Sequence, residues 1–169
     1  ALPISDPACF DDPAGGTVTI QATGGTLPYT YSIDGGGAVV VANNAPITIT
    51  GLTDGPHDIE FNDSNNCNQI NLPQVITFPT EIIIDYNPAD IIPVECGGNG
   101  EITVTVSGGI GTNYFYIWQG PSFAQSGLNL STVSGLQNGG IYNLTVFDEN
   151  NCSSITESFT VDENTNAFT

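Results

Sequence analysis

Few side chains in this chain can do acid–base or nucleophilic chemistry. The 169 residues contain one histidine, no lysine and no arginine, against 18 aspartates and glutamates. General acid–base catalysis needs a histidine, a lysine or paired carboxylates with tuned pKa values. His57 lies in the stretch PHDIEF, whose alternation is typical of a strand. The patterns H-E-x-x-H, G-x-S-x-G and C-x-x-C are absent from the sequence. We therefore expect no enzymatic activity and no organic cofactor.

Calcium is the one metal that the composition suggests, because Ca²⁺ binds hard oxygen ligands. Three aspartates in turn-rich stretches are the candidate ligands: Asp12, Asp63 and Asp148. The chain has no twelve-residue calcium loop, and Asp and Asn are also the usual turn formers. The alternative is that these carboxylates form turns and that counterions screen them diffusely.

The net charge restricts the partners. At −18, with no basic side chain but His57, the chain cannot neutralise phosphate, so we exclude nucleic acid. Attraction to an anionic membrane fails for the same reason, and no apolar run approaches the ~18 residues of a spanning helix. A chain without lysine also cannot form Lys–Asn isopeptide bonds. Cohesion must come from apolar burial, backbone ladders and disulfides.

The sequence repeats itself. The stretch Gly15–Gly25 matches Asn99–Gly109, and Cys9 and Cys67 match Cys96 and Cys152, at offsets between 84 and 87 positions. Such self-similarity indicates two related units. We place the first at residues 1–80 and the second at 81–169, with the joint around 78–90.

Each unit has the pattern of an all-β domain. Val18, Ile20 and Ala22 alternate with polar residues, and turn residues punctuate the chain every 8–12 positions. The stretches DIEFNDSNNC and NLTVFDENNC each read as a strand that runs into an Asx-rich turn and a cysteine. We predict two tandem immunoglobulin-like antiparallel β-sandwiches.

The four cysteines allow three pairings. Only Cys9–Cys67 with Cys96–Cys152 gives both repeats the same bond, so we predict two disulfides within the units. Disulfides form in oxidising compartments, which favours an extracellular setting.

Four N-x-S/T sequons provide candidate sites for covalent glycans. Their asparagines are Asn62, Asn129, Asn143 and Asn151. Several such sequons arise by chance in a chain rich in Asn and Thr. An intact mass above 17.6 kDa would support modification.

The ordered motifs resemble the SprB-type repeat. They are a cysteine, an alternating strand closed by Gly-Gly, the stretch PYTYS, a Gly-Leu turn and the D-x-N-x-C corner. Such repeats occur in tandem in large surface adhesins of gliding Bacteroidota. The second copy departs from the pattern at Asn113 and in the insert 119–127. The resemblance implies an extracellular location, export by the type IX route and a filamentous or adhesive role.

The two termini are complementary parts of a repeat joint. The stretch NTNAFT (164–169) falls where the first unit has PTEIII, and ALPIS (1–5) resembles the continuation of such a strand. We therefore expect a structural subunit or repeat segment of an extracellular filament, joined head to tail to itself by terminal strand sharing. The expected polymer contacts are Ala1, Leu2, Ile4, Ala167 and Phe168.

The alternative is an adhesin module that binds surface glycans. Its candidate surface is an aromatic set in the second unit: Tyr114, Tyr116, Trp118 and Phe123. The competing interpretation of Trp118 is core packing, since it aligns with Ile33 on an alternating strand.

Overall fold

The computed structural model describes residues 3–66, 70–96 and 98–164. Contacts divide the chain into two compact units, Ala1–Phe78 and Pro79–Thr169, close to the boundary placed from sequence. The described residues fold as strands and turns, with a single 3-10 turn at Pro88–Asp90. None of their helices is long and apolar enough to cross a membrane.

The first unit is a seven-stranded sandwich. One sheet has the order β1-β2-β5 and the other β4-β3-β6-β7, and every pairing is antiparallel. The strands are β1 Ile4–Ser5, β2 Gly16–Ile20, β3 Tyr29–Ile33, β4 Val39–Val41, β5 Ile47–Leu52, β6 Gly55–Asn62 and β7 Ile70–Ile76.

The core of this unit lies between its sheets. Period-two alternation sends every second side chain inward, so Val18 and Ile20 of β2 are buried while Thr17 and Thr19 are not. The core cluster is Val18, Ile20, Tyr29, Ile49, Leu52, Ile59, Phe61 and Ile76. Both sheets contribute to it, which confirms the predicted sandwich.

The second unit repeats this plan and adds two short ladders. Its main sheets are β9-β11-β15 and β14-β13-β16-β17, and the additions are β8 with β12 and β10 with β18. The last of these is parallel. The strands are β8 Thr80–Asp85, β9 Ile91–Ile92, β10 Val94–Glu95, β11 Gly100–Thr103, β12 Thr105–Gly109, β13 Phe115–Gly120, β14 Phe123–Leu128, β15 Thr132–Leu136, β16 Gly140–Phe147, β17 Glu157–Val161 and β18 Glu163–Asn164.

The repeats differ in the strand that precedes Gly-Gly. In the first unit β2 ends at Ile20, so the expected extension through Ala22 is not a strand. In the second unit the equivalent stretch continues as β12 because β8 pairs with it. A strand needs a partner for its backbone groups, and in the described part of the chain only the second unit supplies one.

Candidate functional site

The D-x-N-x-C corner is a clamp built on one aspartate. In the first unit, Asp63 Oδ1 accepts a hydrogen bond from Asn65 N and Oδ2 accepts one from Thr26 N, both at 3.1 Å. Asn66, which closes the turn, adopts φ 52°. Asn tolerates this left-handed conformation better than most residues. The aspartate therefore ties the strand end to the loop that follows Gly-Gly.

The second unit has an equivalent hydrogen-bonded aspartate in a more buried position. Asp148 Oδ1 accepts from Asn150 N and Cys152 N, and Oδ2 accepts from Ile110 N, all at 2.9 Å. Asp148 is buried. A buried carboxylate must be hydrogen-bonded, and the three amide donors meet that need.

These contacts bear on the calcium hypothesis. Asp12 Oδ1 accepts from Ala14 N, and the other two candidate aspartates bond backbone amides as described above. Among residues 3–66, 70–96 and 98–164, no three or more His, Cys, Asp or Glu side chains gather as metal ligands. The three carboxylates accept backbone amides in turns, and the calcium site stays a prediction.

A further carboxylate clamp was not expected from the sequence. Glu149 Oε1 accepts from Thr112 N, Asn113 N and Asn113 Nδ2. These bonds, that from Thr112 first, lower the pKa of Glu149. The signal available in the sequence was the asparagine at 113, where the first repeat has a proline.

His57 is a structural residue of β6. Its ring is buried; Nδ1 lies 2.7 Å from Asp34 Oδ2 and Nε2 lies 2.9 Å from Thr53 O. Both neighbours are acceptors, so the doubly protonated ring satisfies both. The Thr53 carbonyl first, and then Asp34, raise the pKa of His57, while burial opposes them. With both nitrogens occupied, His57 has no lone pair to offer a substrate.

The cysteines are described in part. Cys9 and Cys152 are both disulfide-bonded. Cys96 Sγ lies 3.6 Å from Asn164 O. Cys67 lies outside the described residues, so the predicted pairs Cys9–Cys67 and Cys96–Cys152 stay predictions.

The aromatic set proposed as a ligand surface is packed into the second unit instead. Tyr116 and Trp118 are buried, the latter 0% exposed, and Trp118 Nε1 donates to Leu130 O at 3.0 Å. Tyr114 Oη donates to Gly108 O, and the Phe123 ring packs edge-on against Tyr142 at 5.8 Å. Strand alternation turns Tyr116 and Trp118 of β13 inward, whereas Tyr114 and Phe123 are half-buried. Core packing of Trp118, the competing interpretation, is confirmed.

Of the sequon asparagines, two make side-chain hydrogen bonds. Asn129 Oδ1 accepts from Tyr114 N and its Nδ2 donates to Asn113 Oδ1, and Asn143 Oδ1 accepts from Ser158 Oγ. Asn62 ends β6, and Asn151 is exposed at φ 66°. Glycosylation at the four sites stays a prediction.

Of the residues expected to make polymer contacts, Ile4 alone lies in the part of the chain that the structure describes. Ile4 is half-exposed on β1 and pairs with Val18 of its own unit. Ala1, Leu2, Ala167 and Phe168 lie outside the described residues.

The joint segment forms a strand of the second unit. β8 pairs with β12 through Thr105–Asp85, Val106–Ile84 and Ser107–Ile83. Its Ile82 is 5% exposed and joins the core. The residues that directly follow the first unit in sequence therefore complete the sandwich of the second. Sequence reasoning located this joint but missed its partner strand.

The comparisons with known proteins agree with the repeat assignment. A family model described as the SprB repeat matches residues 1–38 and 89–123, the two stretches that open the two units. Over these two stretches the chain is similar to the SprB repeat, in agreement with the resemblance stated from the motifs. The SprB repeat family is associated with the cell surface.

The comparison with solved structures finds matches of low identity. A C-terminal fragment of intimin is 16% identical with a TM-score of 0.49, over 96% of this chain and 63% of that one. Three N-terminal domains of the bacteriophage RB49 outer capsid protein Hoc are 16% identical, with a TM-score of 0.48, over 96% and 59%. Fibronectin(III)-like modules of Clostridium thermocellum CbhA are 12% identical, with a TM-score of 0.42, over 100% and 98%. The chain thus spans less than two thirds of the first two. No curated protein matches.

Proposed function

We propose that this chain is a structural repeat segment of an extracellular bacterial fibre, in which repeats join head to tail by sharing strands. The observation that carries the proposal is β8, which follows the last strand of one repeat and completes the next by burying Ile82. A joint of this kind orders successive repeats through backbone bonds. It also suits a chain of net charge −18, because strand addition needs no complementary side-chain charge.

The interior supports a scaffold role rather than catalysis or glycan binding. His57 has both ring nitrogens engaged, and two members of the aromatic set considered for sugar binding, Tyr116 and Trp118, are buried in the core. SprB repeats and immunoglobulin-like folds are typically structural or adhesive modules.

Negative-stain microscopy and light scattering of the purified chain test the proposal. Periodic fibres, or a mass that rises with concentration to multiples of 17.6 kDa, are the expected result. A chain that stays monomeric at every concentration, and that is retained by immobilised glycans, would instead favour the glycan-binding alternative.

A further inference from the structure

The two Gly-Gly edges have the same backbone but different surroundings. Gly24 and Gly108 occupy equivalent positions, with φ 85° and φ 83°. A Cβ added to Gly108 would lie 1.8 Å from the Glu81 carbonyl oxygen, whereas one added to Gly24 would meet nothing within 4 Å. Glycine at 108 is needed because β8 passes directly over it. At Gly24 the same approach is available and unused within the described residues.

The neighbouring glycines show the same contrast. A Cβ on Gly109 would lie 2.9 Å from Ile82 Cγ1, the side chain that β8 buries. At the equivalent Gly25 the nearest atoms belong to the unit's own Asp63 and Tyr29. The space that Ile82 fills in the second unit is therefore not filled by a strand among the described residues of the first.

An apolar groove lies at this position in the first unit. Its volume is about 360 Å³. Its lining includes Ala22, Gly24, Gly25, Phe61, Ile70 and Leu72. In the described part of the chain, the backbones of Gln21, Ala22 and Thr23 make no hydrogen bond to another backbone group. The groove thus combines backbone groups that have no backbone partner among the described residues with a lining that is apolar apart from Gln21, Thr23 and Asp63. Unpaired backbone groups and side-chain pockets are the two features that β-strand addition uses.

The repeat register identifies a segment of the chain that could occupy the groove. Gly55 pairs with Ile76 in the first unit and Gly140 with Val161 in the second, which fixes an offset of 85 at the end of each repeat. Carried forward, this offset places residues 165–169 where the first repeat has 80–84, with Ala167 in the position of Ile82. The sequence of 165–169 is TNAFT. It contains no carboxylate, so it can enter the groove without burying a charge.

We propose that the groove bordered by Gln21–Gly25 accepts residues 165–169 of a second copy of this chain as an antiparallel strand, as β12 accepts β8. The inference rests on the proposed function and specifies the acceptor, the donor and the register of the joint. Ala167 then lies over Gly25 in the way that Ile82 lies over Gly109. Phe168 takes the outward position that Ile83 has on β8, where the side chain is largely exposed.

A matched pair of variants on one strand tests the acceptor. Ile70 and Val75 both lie on β7 and are 51% and 60% exposed, but only Ile70 lines the groove. Ile70→Asp puts a carboxylate beside the incoming strand and is expected to weaken self-association about tenfold or more. Val75→Asp adds the same charge elsewhere and is expected to leave association within about twofold. Thermal unfolding confirms that both variants are folded.

Mixing two blocked chains tests donor and acceptor together. A chain that lacks residues 165–169 keeps its acceptor, and the full-length Ile70→Asp chain keeps its donor. Each alone is expected to be monomeric by light scattering, and an equimolar mixture is expected to form a one-to-one dimer that grows no further.

The outcomes separate this inference from the function on which it rests. If the unmodified chain forms fibres that survive both Ile70→Asp and removal of 165–169, the scaffold function stands and the proposed groove is wrong. If a mixture of the two blocked chains stays monomeric while the unmodified chain assembles, the groove is again wrong. If the unmodified chain never assembles, the head-to-tail function falls, and this inference falls with it.

Discussion

His57 Nδ1 lies 2.7 Å from Asp34 Oδ2, and this is the one ion pair among the residues that the structure describes. A chain with no lysine or arginine could form such a pair only through this ring or its amino terminus. The second repeat meets the same need without charge, because Tyr142 at the equivalent position donates its hydroxyl to Asn138 O at 2.7 Å. In both repeats the side chain at this position donates a hydrogen bond to a carbonyl of the preceding turn. Only in the first repeat is that donor a charged ring.

The pair makes the stability of the first unit depend on pH in a defined direction. The pKa of His57 is raised above its ordinary 6.5, so its contribution is complete below that value and is lost as pH rises through the folded-state pKa. The pKa of Asp34 is lowered below 3.8, mainly by its bond from His57. Its contribution is therefore present above 3.8 and is lost as pH falls through the lower, folded-state pKa.

We therefore expect the melting temperature of the first unit to fall between about pH 5.5 and about pH 8.5. His57→Tyr, which copies the second repeat, should flatten this dependence, and Asp34→Asn should reduce it. Calorimetric scans at the two pH values measure both effects. An equal fall in wild type and His57→Tyr would show that other groups cause it.

The Asp148 clamp should contribute more to stability than the Asp63 clamp. Asp148→Ala leaves three amide donors near a buried site without their acceptor, and each unsatisfied buried group costs about 1–3 kcal/mol. Asp63→Ala exposes its donors to water and should cost about 1 kcal/mol or less. Urea denaturation followed by circular dichroism compares the two variants. Equal losses would contradict the difference in burial.

Calcium should stabilise the protein no more than magnesium does. Each candidate aspartate already accepts backbone amides, so we expect only general screening of the charge of −18. Thermal scans with equal concentrations of Ca²⁺ and Mg²⁺ should give the same shift. A shift specific to Ca²⁺, abolished by Asp148→Asn or Asp63→Asn, would establish the calcium site that the sequence suggested.

Trp118 should behave as a core residue of the second unit. It is the one tryptophan of the chain and is 0% exposed, so its fluorescence should be blue-shifted, resistant to iodide and unchanged by added oligosaccharides. Trp118→Ala should lower the free energy of unfolding by about 3–5 kcal/mol. A spectral change on adding a sugar would reopen the glycan-binding alternative.

The paired glycines should respond differently to the same substitution. Gly24→Ala and Gly108→Ala carry a similar backbone penalty, about 1 kcal/mol, because both have positive φ. Gly108→Ala must also displace the Glu81 carbonyl, so it should destabilise its unit substantially more. Thermal unfolding of the monomeric chain compares them. If Gly24→Ala is equally destabilising, the space above Gly24 is already filled.

The sequence by itself determined the repeat, the strands and the corners. Period-two alternation at Val18 and Ile20 reflects a local constraint, since one face of each strand must be buried, and the buried positions agree with it. The Asp-x-Asn turns are equally local, because an aspartate bonds the amide two residues ahead, as Asp63 does with Asn65. Such short-range rules can be read directly from neighbouring residues.

Only the tertiary structure decided which edges have partners. Residues 21–25 and 105–109 have nearly the same pattern, yet the second stretch is β12, paired with β8, while the first has no partner strand among the described residues. The burial of Trp118 was decided in the same way, by residues distant in sequence. A backbone hydrogen bond carries no side-chain signature, so the sequence of a strand does not reveal whether a partner lies beside it.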